Sequence, residues 1–324
     1  MYATRASASL STQANVAMSL FRNGPPPLPD GFTGLTVNNG SIYASSMNGY
    51  VYAFQASSGI LLWKQNTGFA NTSAPVVVDN TVYVGSGTIY ALNATDGSVL
   101  WNYPTSDVGT SSPVIVNGVL YAGSNSDRVY ALNAATGVLL WQYTTDGMVS
   151  VDPIVANGTV FFGSGDDGAA LYAINAQNGK LLWHNSLLLV ASSLAFSNNI
   201  LYAGADNNLY GLSTHNGAIL WHYQVSTPLN TLIAHGILYV ASGSSGMNAF
   251  DTGNGERLWH NTLNPMHIGE TTQPVLLGDE VYVATIDVGI SPSTVFLHAL
   301  NASTGVEDWS ATVSWDISTI DVAA

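Results

Sequence analysis

The sequence predicts an all-β fold assembled from repeated four-stranded units, and three observations support this prediction. A frame typified by YALNAATGVLLW, at Tyr130–Trp141, occurs seven times with the same internal spacing. Consecutive frame tryptophans are 38 to 50 residues apart, which is enough chain for four short strands and their turns. Apolar and polar residues alternate beside turn-forming segments, as they do in half-buried strands.

The frame itself predicts the last two strands of each unit, which we label C and D. A small residue, Ala or Gly, is followed by Leu, Ile or Phe, then by Gly five residues later and Trp four residues after that. Asn133–Gly137 has turn composition, with Gly available for a positive φ. The copies are Tyr52–Trp63, Tyr90–Trp101, Tyr130–Trp141, Tyr172–Trp183, Tyr210–Trp221, Asn248–Trp259 and His298–Trp309.

A second hairpin precedes each frame and predicts strands A and B. In the third unit Pro113–Val116 and Val119–Gly123 flank Asn117-Gly118, and Asn-Gly between two apolar runs is a strong hairpin signal. Four antiparallel strands in about 40 residues are typical of a β-propeller blade. The frame resembles the repeat of the quinoprotein-type, or PQQ-like, β-propellers. It does not resemble WD40 repeats, because no Gly-His and Trp-Asp pairing recurs.

We predict one propeller domain spanning residues 1–324, with seven complete repeats over residues 32–309. Residues 1–24 resemble strands B to D, and Ile317–Val322 lies where a strand A is expected. The two ends, 1–24 and 310–324, would then form a split closing blade, giving eight blades in which the termini close the ring and remove exposed sheet edges. The alternative is seven blades with an N-terminal tail.

Composition excludes several classes of partner and favours a location outside the cytoplasm. Twenty acidic and six basic residues give a net charge of −14, which argues against nucleic acid or an anionic membrane. No apolar run is long enough to span a bilayer. The chain has no cysteine, and its abundant Asn, Ser, Thr and Gly fit an extracytoplasmic protein. Residues 1–24 lack the pattern of a signal peptide. We expect a monomer.

The frame tryptophans have two interpretations, an aromatic binding surface or a packing device between neighbouring blades. The packing role is favoured, because the ring recurs at one strand position in every unit and buries a large apolar area. The residues concerned are Trp63, Trp101, Trp141, Trp183, Trp221, Trp259 and Trp309.

Candidate binding residues are those at which the blades differ. Beside the recurring Pro at the predicted channel mouth stand small polar residues and one acid, Asp152, with Thr231 and Gln273 at equivalent positions. A water-filled channel would explain these side chains equally well. The seventh unit has two long loops, His260–Thr272 and Thr285–Thr294, and long loops on a rigid scaffold concentrate binding residues, although a tolerated insertion stays open. The predicted ligand residues are Asp152, Thr231, Gln273, His267, Glu270 and Asp287.

The family resemblance raises the question of catalysis, since some PQQ-like propellers are dehydrogenases holding pyrroloquinoline quinone and calcium. That tricarboxylate would require Arg or Lys, and none of the six bases lies in a predicted strand A. We therefore expect no enzyme, no catalytic residues, no cofactor and no metal site. The prediction is a binding or sensing propeller that takes a small polar ligand or a protein at the face shared by the D–A and B–C loops.

Two further functional interpretations follow from the resemblance. One is a domain taken from a longer signalling protein, which a strand predicted to begin at Met1 suggests. The other is a scaffold similar to the lipoprotein of outer-membrane protein assembly, whose lipidated N-terminal Cys this sequence lacks. A quinoprotein-like oxidoreductase is the third alternative, which the missing bases disfavour.

Overall fold

The structure of the chain is a computed structural model. It describes residues 32–68, 73–105, 109–165, 169–186, 190–205, 207–226, 229–243, 246–263, 269–287 and 294–314. These residues belong to two compact units, one ending at Val190 and one beginning at Ala191. The described residues contain no helix long and apolar enough to cross a membrane. The strands predicted in residues 1–24 and 317–322, and the candidate His267, lie outside the described part.

The first unit consists of four antiparallel sheets whose four strands pair in chain order. The first sheet comprises β1 (Phe32–Asn38), β2 (Ser41–Ser46), β3 (Tyr50–Gln55) and β4 (Leu61–Asn66). The second comprises β5 (Val76–Val78), β6 (Thr81–Gly85), β7 (Thr88–Asn93) and β8 (Val99–Pro104). The third comprises β9 (Val114–Val116), β10 (Val119–Ser124), β11 (Arg128–Asn133) and β12 (Leu139–Thr144). The fourth comprises β13 (Ile154–Ala156), β14 (Thr159–Ser164), β15 (Ala170–Asn175) and β16 (Leu181–Asn185).

The second unit contains three sheets of the same kind, of which the last is enlarged. The fifth sheet comprises β17 (Val190–Ser197), β18 (Ile200–Ala205), β19 (Asn208–Ser213) and β20 (Ile219–Gln224). The sixth comprises β21 (Leu229–Ala234), β22 (Ile237–Ser242), β23 (Gly246–Asp251) and β24 (Arg257–Asn261). The seventh comprises β25 (Gly269–Thr271), β26 (Val275–Leu277), β27 (Glu280–Asp287), β28 (Thr294–Asn301) and β29 (Glu307–Ser314).

These sheets confirm the predicted all-β propeller architecture of antiparallel blades with strands A to D in sequence order. The turns form where the residue types predict them. Asn117 and Gly118 have φ of 50° and 76°, the left-handed conformation that a tight hairpin turn requires. In the frame turn, Asn133 Oδ1 accepts hydrogen bonds from the backbone N–H groups of Ala135 and Thr136, which fixes the turn between strands C and D.

Neighbouring sheets are joined by the frame tryptophan, which docks on the frame turn of the next sheet. Trp101 Nε1 donates a hydrogen bond to the carbonyl of Ala134 at 2.9 Å, and the hydroxyl of Tyr83 donates to the same oxygen at 3.1 Å. Burial raises the pKa of the Tyr83 hydroxyl, so it remains a protonated donor at neutral pH. The same indole-to-carbonyl bond joins Trp63 to Ala94, Trp141 to Ala176 and Trp259 to Ala302.

The frame glycine is required both by backbone conformation and by the indole packed on it. Gly137 has φ of 72°, and a Cβ at this position would lie 2.7 Å from Cδ2 of Trp101. Around this contact the second and third sheets bury apolar side chains such as Ile89, Leu120 and Leu132 completely. Each such side chain contributes about 1.5–3 kcal/mol to the free energy of unfolding.

Two tryptophans depart from the uniform packing that the repeat predicts. Trp221 presents its Nε1 and Cε2 edge to Gly255, and its Nε1 has no hydrogen-bond partner in the described part of the chain. The reason is Gly211, which stands where other frames have Ala: a Cβ there would lie 2.3 Å from Cε2 of Trp221. The indole therefore occupies the space of the missing methyl group. Trp309, in the seventh sheet, is 44% exposed, whereas Trp63 is 8% exposed.

The double role of the frame glycine yields a prediction with a matched control. Replacing Gly137 by Ala should lower the free energy of unfolding by about 2–4 kcal/mol, because left-handed strain adds to the clash with Trp101. Gly118 has φ of 76°, but among the described residues no atom lies within 4 Å of where its Cβ would stand. Gly118→Ala should therefore cost only about 1 kcal/mol. Urea denaturation followed by tryptophan fluorescence measures both. Equal costs would show that the indole contact is unimportant.

Candidate functional site

In the first unit, the predicted channel-mouth residues link the starts of successive sheets. Asp152 Oδ1 accepts a hydrogen bond of 2.7 Å from the backbone N–H of Ser112, one sheet earlier in the chain. Ser112 Oγ accepts in turn from the backbone N–H of Ala74 at 3.2 Å. One carboxylate oxygen of Asp152 is therefore engaged in joining the third and fourth sheets, a role that the sequence pattern did not indicate.

The equivalent residues of the second unit make the same kind of link. Gln273 is exposed and its Nε2 donates to the carbonyl of Thr231 at 3.4 Å, while Thr231 itself is buried on β21. Beside them, Asn230 Nδ2 donates to the carbonyl of Thr271 at 2.7 Å. These amide side chains join the inner strands of the sixth and seventh sheets.

The two extensions of the seventh sheet meet in paired strands rather than in two long loops. From the sequence we predict a loop over Thr285–Thr294, but β27 continues to Asp287 and β28 begins at Thr294, with these two residues paired. Likewise Gly269–Thr271 forms β25 on the outer end of β27, with Gly269 opposite Asp287 and Glu270 opposite Ile286. The candidates Glu270 and Asp287 therefore lie on adjacent strands, because backbone pairing extends the hairpin beyond the length found in the other sheets.

A buried hydrogen-bond relay lies in this sheet, and sequence analysis did not select it. His298 is 2% exposed; its Nδ1 lies 2.9 Å from Glu307 Oε1 and its Nε2 lies 3.0 Å from Thr285 Oγ1. A carboxylate only accepts, so Nδ1 carries the hydrogen and donates to Glu307, while Nε2 shares a hydrogen bond with the Thr285 hydroxyl, which can either donate or accept. The available signal was that His298 stands at the position where five of the seven frames have Tyr.

A second hydroxyl lies next to the relay without a partner of its own. Thr271 pairs directly with Thr285 across β25 and β27, so the two side chains are on one face of the sheet. Thr271 is 9% exposed, and its Oγ1 makes no hydrogen bond within the described residues. The described part of the chain also contains no group of three or more His, Cys, Asp or Glu that could hold a metal ion.

The fold and this geometry define a class: a β-propeller whose blades dock through a tryptophan frame and whose last described blade is enlarged at one corner. A family model described as "Outer membrane protein assembly factor BamB" matches residues 9–112, 85–231 and 172–320. Because these matches cover most of the sequence, the chain belongs to this family of PQQ-like repeat propellers. No curated protein sequence matches the chain significantly.

Solved structures share the fold. BamB from Moraxella catarrhalis is 23% identical, with a TM-score of 0.66 over 86% of this chain and 84% of that one. The computationally designed Ika8 protein is 17% identical, with a TM-score of 0.71 over 88% and 87%. Quinohemoprotein alcohol dehydrogenase from Comamonas testosteroni is 14% identical, with a TM-score of 0.69 over 87% and 67%. At these levels of sequence identity the similarity establishes the fold alone. The function must therefore be argued from the candidate site.

The relay and its unpartnered neighbour provide a matched pair of substitutions. Thr285→Val should lower the free energy of unfolding by about 1–3 kcal/mol, because it leaves the buried Nε2 of His298 without its hydrogen-bond partner. Thr271→Val removes a hydroxyl that has no partner among the described residues, so it should be neutral or stabilising. Thermal unfolding of the two variants side by side measures the difference. If both substitutions change the free energy of unfolding equally, the hydrogen bonds of the relay do not stabilise the fold.

Proposed function

We propose that the chain is a non-catalytic binding propeller whose partner is another protein. The partner would dock at the lengthened corner of the seventh sheet, which comprises Gly269–Thr271, Thr285–Asp287 and Thr294–Phe296. The observation that carries this proposal is that β27 and β28 run for eight residues each, while strands B and C of the other sheets have five or six. This corner breaks the symmetry of an otherwise regular repeat.

A protein partner fits such a corner better than a small molecule does. The added segments are backbone-paired strands, so they present a rigid surface at little ordering cost on binding. Beneath them the Thr285–His298–Glu307 relay fixes β27, β28 and β29 to one another. The predicted contacts Glu270 and Asp287 are acidic, and a net charge of −14 favours a partner with basic residues facing them.

A small polar ligand bound near Asp152 is the competing version of this function. Asp152 would supply a polar contact in the first unit, and Thr231 and Gln273 would do so separately in the second; the candidate His267 lies outside the described residues. The hydrogen bonds that tie Asp152 to Ser112 and Gln273 to Thr231 favour a structural use of these groups. We therefore propose the protein partner first and the small ligand second.

The setting that we propose is extracytoplasmic, and the family match favours one particular scaffold role. The matching family model is described as an outer membrane protein assembly factor, so a scaffold in such an assembly is a further candidate function. A sensor domain of a larger signalling protein remains an alternative. No bound quinone is part of the proposal, because the chain has only six Lys and Arg residues to hold a tricarboxylate.

The binding site is tested by selecting a partner and then changing one feature at a time. A random peptide library is panned against the whole chain, and the dissociation constant of an enriched peptide is measured by calorimetry. Replacing residues 286–295 by Asn-Gly keeps the Thr285–Phe296 pair, shortens β27 and β28 to the length found in the other sheets, and should weaken binding tenfold or more. Asp152→Asn should leave the affinity unchanged.

The control shortens an ordinary B–C turn, by replacing residues 125–127 of the third sheet with Asn-Gly, and should not affect binding. A loss on Asp152→Asn alone would favour the small-ligand version. If neither change weakens binding of the enriched peptide, the proposed site is wrong.

We further propose that the domain has eight blades, closed by residues 1–24 and 310–324. The seventh sheet keeps the docking pair of the other sheets: the Tyr282 and Trp309 rings are 6.0 Å apart, as Tyr83 and Trp101 are. Yet Trp309 is 44% exposed, and Tyr282 donates its hydroxyl to Glu280 of its own sheet. The Trp309 indole is thus placed as in the other sheets but stays exposed, which favours a further blade that packs against it.

Deleting residues 1–22 tests this closure. If they contribute three strands of the closing blade, their loss should lower the melting temperature by about 10 °C or more, because several kcal/mol of burial is lost and two sheet edges are exposed. Deleting residues 323–324, which lie beyond the predicted strand, is the control and should have no effect. An unchanged melting temperature after the longer deletion would mean a tail and seven blades.

A further inference from the structure

The outermost strand of each sheet in the first unit is an edge. Strands β4, β8, β12 and β16 each pair with one neighbour, on their inner side, and no described strand pairs with the other side. An edge strand presents its outward N–H and C=O groups as a template for another strand. Soluble proteins usually protect such edges with charged residues, Pro or short length.

These four edges instead carry exposed aliphatic side chains at a repeated position. The residue just before each frame tryptophan is Leu, and Leu62, Leu100, Leu140 and Leu182 are 49%, 52%, 50% and 52% exposed. A second aliphatic residue precedes each of them and is 37% to 44% exposed. Strands β8, β12 and β16 contain no charged residue, and β4 contains one, Lys64.

The fold does not require an aliphatic residue at both of these positions. The equivalent strand of the sixth sheet has Arg257 before Leu258, and that of the seventh has Glu307 and Asp308 before its tryptophan. These strands occupy the same place in their sheets, so charged residues are compatible with the blade. The fifth sheet carries the same pair on β20, with Ile219 40% and Leu220 54% exposed. Aliphatic pairs therefore recur on all four edges of the first unit and on β20, and they need an explanation other than folding.

We infer that the outer edges of the first unit bind extended, apolar segments of other polypeptides by β-strand addition. The unpaired backbone selects an extended strand, and the leucine pairs select Val, Ile or Leu side chains beside it. The net charge of −14 excludes acidic segments and disfavours an anionic membrane, which would also need a basic rim that β8, β12 and β16 lack.

Four equivalent edges on one compact unit suit a long, unfolded partner. When one segment of such a chain binds one edge, its next apolar segment is held at high local concentration near a second edge. Several weak contacts together then give stable binding of the whole chain. This surface is separate from the lengthened corner of the seventh sheet, and the inference does not depend on the function proposed for that corner.

The probe is a fluorescent peptide of on the order of ten residues, with alternating Val and Thr and two Lys at each end. Its binding to the full chain is measured by fluorescence anisotropy. A second peptide has one central Val replaced by Pro, which removes a backbone donor and disrupts strand pairing. We expect the first peptide to bind and the Pro peptide to bind at least tenfold more weakly.

The protein variant carries Leu62→Gln, Leu100→Gln, Leu140→Gln and Leu182→Gln, which remove apolar surface without adding charge. It is made and compared in a Leu220→Gln background, because β20 carries the same aliphatic pair. Its affinity for the Val-Thr peptide should fall at least tenfold with an unchanged melting temperature. The matched control is Leu35→Gln with Met47→Gln, because these residues are 54% and 63% exposed but do not lie on the outer strands that carry the leucine pairs. If the fourfold variant does not fold, Leu140→Gln alone should lower the number of peptide-binding sites per chain by one, since one edge is altered.

Three results would overturn the inference. They are no binding of the Val-Thr peptide, equal binding of the Pro peptide, and unchanged binding by the edge variant. Sedimentation of the chain alone tests the competing occupant, because self-association that the fourfold variant abolishes would mean that a second copy covers these edges.

Discussion

The hydrogen bond from a frame indole to the carbonyl of the next sheet is the interaction on which the blade-to-blade packing depends. It fixes the distance and the angle at which two sheets meet, since the donor and acceptor are both held in regular structure. The ring beneath that bond lies on the frame glycine, so neither group can move without the other. Where Gly211 removes one methyl group, the indole of Trp221 turns and loses this bond, although the sheets still pack.

Most of the fold could be predicted from the sequence because its determinants are local. The Asn117-Gly118 turn and the Asn133–Gly137 turn each require particular residue types within a few positions, and the strands between them alternate. What could not be predicted joins residues far apart in the chain. The bond from Ser112 to Asp152 spans 40 residues, and no local pattern distinguishes a carboxylate that accepts it from one that faces a ligand.

The enlargement of the seventh sheet was visible in the sequence only in part, and the reason lies in how departures from a repeat are recognised. Extra length in the seventh unit was visible, but whether it forms loops or strands depends on backbone pairing between residues such as Gly269 and Asp287. The substitution of Tyr by His298 was visible too. Its partners Thr285 and Glu307 were not, because they come from two other strands.

The direction of the indole contact has a consequence for how such a chain can evolve. Each blade offers a tryptophan on one side and accepts one on the other, as the third sheet does through Trp141 and the carbonyl of Ala134. A blade copied in tandem therefore carries both halves of the connection and fits its neighbours without new substitutions. Whole blades are accordingly easier to gain by gene duplication than a single blade is to alter in its tryptophan contacts.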